Sequence, residues 1–326
     1  MNKYVKISLF ALLSAAPLAF PFFFGSSEEF PSWAYPVDPP PRPGPQPIKP
    51  KDDGTQLHVP DSDVALTRTE IEGRDTVPDW HPNDHPPMPD IVKNGRPKVR
   101  ACAYCHQPNG MGRPESTSLA GLPESYIARQ VMNFKNGARK SSAPERSLHK
   151  QMVEIASNIS DADLAEAAAY FSSLKLSNFL KVVETDTVPE TFVTGGMLAK
   201  LPQGRMEPIG KRIIEVPEDL QRAELRDSHT PYVAYVPKGS LEKGKTIVTT
   251  GGGKTTACAT CHGPDLHGAG DVPHIAGRSP SYIVRQLYDI QHNARTGSVT
   301  FMQQVVTNLD RDDMIAIAAY VASREP

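Results

Sequence analysis

The 326-residue sequence predicts an all-α molecule of two small domains in tandem, with a proline-rich spacer before them and a partly β insert between them. Three observations predict it. Sliding the chain along itself by 156 positions aligns residues 91–139 with 247–295 without a gap, and 20 of the 49 pairs are identical, which marks a duplicated structural unit. Within each copy, apolar residues recur at the 3.6-residue period of a helix. Proline crowds the chain ahead of the first copy but is absent from those periodic runs, as an uninterrupted helix requires.

Taken in order, residues 1–27 open with a basic head, Met1 to Lys6, followed by the apolar run 7–24, the pattern of an export signal. That run has 18 residues and two prolines, the lower edge of a membrane span. Its cleavage site is poor because Pro17 follows Ala16, so a removed signal and a retained N-terminal membrane anchor both stay open. Residues 28–87 form the spacer. Proline is frequent enough between 31 and 50 for a semi-rigid polyproline II segment without a core, and 51–90 are expected to lie along the first domain with little regular structure.

The first domain, residues 88–175, contains a helical run over 126–134 and a second, breaker-free run over 165–174, introduced by Ser160 and an acidic first turn. Residues 176–237 are longer than a connection between adjacent domains needs. Within them, 212–216 and 232–236 are rich in branched and aromatic residues next to proline, the signature of short strands, and both a bridging and a docking role stay open. The second domain, residues 238–326, repeats the helical runs at 282–290 and 310–322.

The chemistry sits in two pentapeptides, Cys102-x-x-Cys105-His106 and Cys258-x-x-Cys261-His262, which use all four cysteines of the chain. In c-type haem attachment each thiol adds across a vinyl group and the adjoining histidine binds the iron from one face. A redox dithiol shares the spacing but needs a βαβ setting. A four-cysteine zinc site brackets a short loop, whereas 156 residues separate these motifs and a histidine follows each pair. Two covalently attached haems are expected, one per copy.

A carrier iron also needs a second axial ligand, and the methionine thioether is the usual soft partner. After His262 only Met302 and Met314 remain, and Met314 lies in a helical stretch where it reads as packing. In the first copy Met111, Met132 and Met152 compete. Met152 alone has a counterpart, since Met152-x-x-Ile155-Ala156-x-Asn158-Ile159 matches Met302-x-x-Val305-Val306-x-Asn308-Leu309. The expected iron ligands are therefore His106, Met152, His262 and Met302. The repeated pairs Tyr126/Tyr282, Arg129/Arg285 and Arg139/Arg295 suit either haem propionates or ordinary helix faces.

Together with the Leu119/Ile275-Ala-Gly turn, the shared Tyr-Ile-x-Arg-Gln and a final helix carrying Ala-Ala-Tyr, these motifs make each block resemble a class I cytochrome c. The tandem resembles the dihaem c4-type cytochromes. The likeness covers about 85 residues in each of two blocks, near 90–175 and 240–325. It implies three to five helices wrapped on a haem, electron carriage, and haem attachment outside the cytoplasm. It also implies a backbone carbonyl, just before the Ala-Gly turn, that orients the iron-bound imidazole. Pro273 occupies the family's usual proline there, and Thr117 replaces it in the first copy.

The net charge of −2 gives no basic excess suited to nucleic acid. Residues 91–175 carry 12 Lys and Arg against 7 Asp and Glu, while 238–326 carry 9 against 8, so the first block is the one that would steer an acidic redox partner. The expectation is a periplasmic dihaem cytochrome, soluble or tethered to the inner membrane, with no catalytic residues of its own. It would relay single electrons from a redox-protein donor, such as a membrane quinol-oxidising complex or a periplasmic dehydrogenase, to an acceptor such as a terminal oxidase. Two alternatives stand beside it: a dihaem oxidoreductase of peroxidase or thiosulfate-dehydrogenase type, which needs an iron open to substrate, and a cytochrome subunit of a dehydrogenase complex.

Overall fold

Residues 30–40, 52–73, 77–297 and 299–326 are described by a computed structural model; the expected signal or anchor over 1–27 lies outside the described residues, as do residues 41–51 of the spacer. After a short α1 (Arg68–Glu72), the first haem-motif block folds as α2 (Asp90–Lys93), α3 (Cys102–His106), α4 (Glu124–Lys135), α5 (Ser147–Asn158) and α6 (Asp161–Ser173). The expected caps are in place. Ser160 Oγ accepts from Asp163 N at 3.1 Å at the start of α6, satisfying one of the amides that a helix start leaves unpaired. Among the described residues no helix is long and apolar enough to cross a membrane.

The insert contributes β1 (Leu180–Thr185), β2 (Thr187–Pro189), β3 (Thr191–Thr194), β4 (Met197–Lys200), β5 (Met206–Pro208), β6 (Ile214–Pro217), α7 (Leu220–Glu224) and β7 (Tyr232–Pro237). The two β-capable runs are β6 and β7, which pair antiparallel with Ile214 opposite Tyr235. On its other side β7 pairs parallel with β1, giving the order β1-β7-β6. β1 was not legible beforehand because its partner lies some 50 residues downstream and parallel pairing leaves no local turn signal. Helices alone therefore build the two haem blocks, whereas the chain as a whole is not all-α.

The second block follows as α8 (Ser240–Thr250), α9 (Ala259–His262), α10 (Pro280–Gln291), α11 (Thr300–Val306) and α12 (Arg311–Ala322). It repeats the first block with two departures of more than one residue in helix length: α8 has 11 residues where α2 has 4, and α11 has 7 where α5 has 12. Pro82, Pro86, Pro87 and Pro89 precede α2, and their missing amides and fixed φ prevent the helix from extending upstream. α8 crosses α12 at Gly244, where a Cβ would stand 2.0 Å from the Ala316 carbonyl oxygen and 2.7 Å from Tyr320 Cβ.

Packing extends one expectation and corrects another. Leu180, Ile213, Tyr232, Ala234 and Val236 of the insert share one core with Ile247, Val284, Leu287 and Met314 of the second block, while Phe179 packs against the core of the first block and Arg226 donates to the Tyr104 carbonyl there, so the insert touches both blocks. The start of the spacer also has a core position. Ala34 and Tyr35 are buried in the same cluster, Tyr35 Oη donates to Asp289 Oδ1 at 2.7 Å, and Arg285 donates to the Ala34 carbonyl at 2.7 Å. The aromatic residues Phe30, Trp33 and Tyr35 between the prolines supply apolar area, worth about 1.5–3 kcal/mol per buried large side chain, that a bare polyproline tether lacks. Farther along, Val59, Ile71 and Trp80 form a small cluster of their own, and Trp80 Nε1 donates to the Leu225 carbonyl at 2.7 Å.

Candidate haem sites

Each Cys-x-x-Cys-His motif forms a single helical turn, α3 in the first block and α9 with its N-cap Cys258 in the second. The chain then doubles back. Gly112 N donates to the His106 carbonyl at 2.9 Å and Gly268 N to the His262 carbonyl at 2.7 Å. Both glycines have positive φ, and a Cβ would stand 2.5 Å from the Thr117 oxygen or 2.3 Å from the Val272 oxygen, so only glycine permits this reversal. They are one of the identical pairs of the repeat, a signal that the motif reading passed over.

The reversal brings a carbonyl to each imidazole. His106 Nδ1 donates to the Thr117 oxygen at 2.8 Å and His262 Nδ1 to the Pro273 oxygen at 2.9 Å. The carbonyl expected at Pro273 is thus matched by Thr117, because a main-chain oxygen does not depend on the side chain. Burial lowers the pKa of both histidines against the opposing pull of these bonds. Each ring is therefore neutral, with its proton on Nδ1 and its Nε2 lone pair available to a metal. Burial pushes the Cys102 thiol up to about 12, with Cys105 adding to it, and the Cys258 thiol up to about 11. A redox dithiol needs the opposite shift.

A single cavity is lined by Cys102, Cys105, His106 and Met152 together, with Leu122, Ile127, Val131, Ile155, Leu164 and Phe171 among its apolar walls. Edge-on contact from Phe171, 6.1 Å between centroids, fixes the His106 ring. Thiols, an imidazole with a free Nε2, a thioether and apolar walls together fit a covalently attached haem. Of the competing methionines, Met111 is buried with its sulfur 3.4 Å from Ser177 Oγ, and Met132 is 39% exposed. His149, one turn before Met152 on α5, lines the same cavity, a neighbour the sequence reading missed despite its i, i+3 spacing. In the second block Cys258 and Met302 pack against the same core. Both methionines lie on helices, α5 and α11, where sequence reasoning placed none.

The repeated tyrosines, glutamines and arginines meet where the blocks join. Arg139 donates to Gln130 Oε1 (2.9 Å), Gln286 Oε1 (3.0 Å) and Tyr282 Oη (3.2 Å). Arg295 mirrors it, donating to Gln286 Oε1 (2.9 Å), Gln130 Oε1 (3.0 Å) and Tyr126 Oη (3.0 Å). Each arginine thus bonds its own block and the other block in the same pattern. Tyr282, Arg285, Gln286 and Asp289 of the second block also line the cavity of the first. Arg129 and Arg285 break the symmetry, the former pairing with Asp271 at 3.1 Å and the latter donating to Ala34 and Pro114 carbonyls.

One further link has no counterpart in the repeat. The guanidinium of Arg278, 2% exposed, donates to the His274 carbonyl (2.7 Å) and across the seam to the Ser118 (2.9 Å) and Ala120 (3.0 Å) carbonyls. His274 and Ser118 each follow the residue whose carbonyl holds the histidine of a Cys-x-x-Cys-His motif.

A family model described as Cytochrome c matches residues 92–175 and 241–325. Cytochrome c4 of Azotobacter vinelandii is 29% identical over 234 residues, 70% of this chain and 86% of the relative. A thiosulfate dehydrogenase electron acceptor of Stutzerimonas stutzeri is 39% identical over 231 residues, 70% of this chain and 80% of the relative. Among solved structures, the thiosulfate dehydrogenase TsdBA of Marichromatium purpuratum aligns at 25% identity with a TM-score of 0.49, over 72% of this chain and 39% of that longer one.

Proposed function

From the premise that this chain belongs to the cytochrome c family, as a tandem dihaem member like the c4 cytochromes, we propose that it passes single electrons from a periplasmic or membrane-bound donor, through both haems, to a second redox protein. The haems supply reversible one-electron iron chemistry. Cys102, Cys105, Cys258 and Cys261 hold them covalently. His106 and Met152 would hold the first iron and His262 and Met302 the second, which would close each to substrate. The observation that carries this reading is the seam. Residues of the second block line the first haem cavity, and the mirrored Arg139 and Arg295 bonds hold the two blocks in one fixed arrangement, which favours transfer between cofactors.

A thiosulfate dehydrogenase is a fitting donor class, since one relative carries the name of that enzyme's electron acceptor. Export through residues 1–27, cleaved or retained as a tether, completes the proposal. Redox titration of the purified dihaem protein, followed by exposure of the reduced form to carbon monoxide, tests it. Two one-electron steps and no carbon monoxide adduct are expected. A native adduct would mean an open iron and favour the oxidoreductase alternative.

A further inference from the structure

Outside both haem sites, three potential metal ligands converge from two separate segments. His81 and Asp84 come from the stretch before the first block and His229 from the insert, and one ligand atom from each lies within 4.8 Å of the others. The two imidazoles stack face to face, with centroids 3.6 Å apart and planes 10° from parallel, and His229 Nε2 meets the Asp84 carboxylate. Behind them, Asp227 is fully buried. It accepts from His81 Nε2 at 2.9 Å, from Arg222 Nε at 2.6 Å and from His229 N at 2.9 Å.

That arrangement is the one a metal-ligating histidine adopts, with one ring nitrogen held by a carboxylate so that the other is presented in a fixed direction. Asp227 engages His81 Nε2, which leaves Nδ1 for an ion. Asp227 itself is anchored by a guanidinium and a main-chain amide, so the buried half of the site is set before any ion arrives. Asp84 and His229 are 38% and 39% exposed, and they supply the adjustable half. Coordination requires each lone pair to aim at the ion within its own ring plane, so His229 tilts out of the stack while His81 stays.

We infer that His81, Asp84 and His229 form a binding site for a divalent transition-metal ion of the zinc class, which staples the N-terminal segment to the insert beside the first haem motif. Two imidazoles and one carboxylate suit zinc, with a fourth position left for water. The consequence is local. Arg226, three residues before His229, lies 3.9 Å above the Tyr104 ring and donates to the Tyr104 carbonyl at 2.9 Å, and Tyr104 lies inside Cys102-x-x-Cys105. An ion holding His229 therefore also fixes the cover over that attachment turn.

The test uses untagged protein carrying both haems, stripped with a chelator and titrated with zinc, with metal content measured alongside. One zinc per chain is expected. His229→Ala and Asp84→Asn should each bind at least about tenfold more weakly, with haem spectra unchanged because neither side chain lines the first haem cavity. Wild type and both variants binding zinc equally, or wild type binding none, would overturn the site.

Discussion

At the residue scale, the histidine of each Cys-x-x-Cys-His motif is held by a main-chain oxygen, and this explains how Thr117 replaces proline without loss of the bond. The neighbouring His274 adds a pH dependence. Burial, with help from Arg278 and His267, brings its pKa down to about 4, whereas an unfolded histidine titrates near 6.5. Between those values the unfolded chain binds the extra proton, so stability falls as pH drops from about 6.5 toward 4 and is regained above 6.5. His274→Gln removes that proton. Its denaturant midpoint should consequently lose less than that of the wild type between pH 7 and pH 5; equal losses would assign the acid sensitivity elsewhere.

At the element scale, the helices were legible wherever a cap met an uninterrupted period: Ser160 and Asp310 announce α6 and α12, and the structure caps both. α5 and α11 carry no side-chain cap at Arg146 and Val299 and were missed, whereas the equally uncapped α4 was read from its period alone. The strands β1, β2 and β5 were missed because their pairing depends on contacts across the insert, whereas β3 and β4 pair locally around Gly195-Gly196, a hairpin signal that the sequence reading passed over. The four thiols and two histidines could be read from spacing alone. The seam could not, because the repeat shows which arginines correspond but not that each reaches into the other block. Gly244 is the steric hinge of the second block's helix crossing. Gly244→Ala forces a methyl into the Ala316 carbonyl, and overpacking of this kind costs about 1–3 kcal/mol. Chemical denaturation should show that loss, while Gly239→Ala, where a Cβ meets nothing within 4 Å, reports the φ cost alone.

At the scale of the whole molecule, the two blocks behave as one body because polar groups are buried between them. Arg278→Ala leaves the Ala120 carbonyl without its donor and the Ser118 carbonyl with only Thr117 Oγ1, 3.2 Å away, a loss of about 1–3 kcal/mol. The second block should then unfold separately from the first, giving two calorimetric transitions where the wild type is expected to unfold in one. Arg278→Lys restores the charge but not the fork that spans separated carbonyls, so it should recover only part of the coupling. A single unchanged transition in Arg278→Ala would place the coupling in the Arg139 and Arg295 network instead.

The central claim, two closed irons each held by one histidine and one methionine, is tested most directly by the weak near-infrared sulfur-to-iron band of the oxidised protein. This band would be recorded for wild type, Met152→Ala and Met302→Ala. The account predicts that each substitution removes about half of the band, one haem's share of two, and that the double substitution abolishes it. A band that survives Met152→Ala at full strength would contradict the account, since the first iron would then take its second ligand from elsewhere, with His149 on the same cavity wall the first residue to replace.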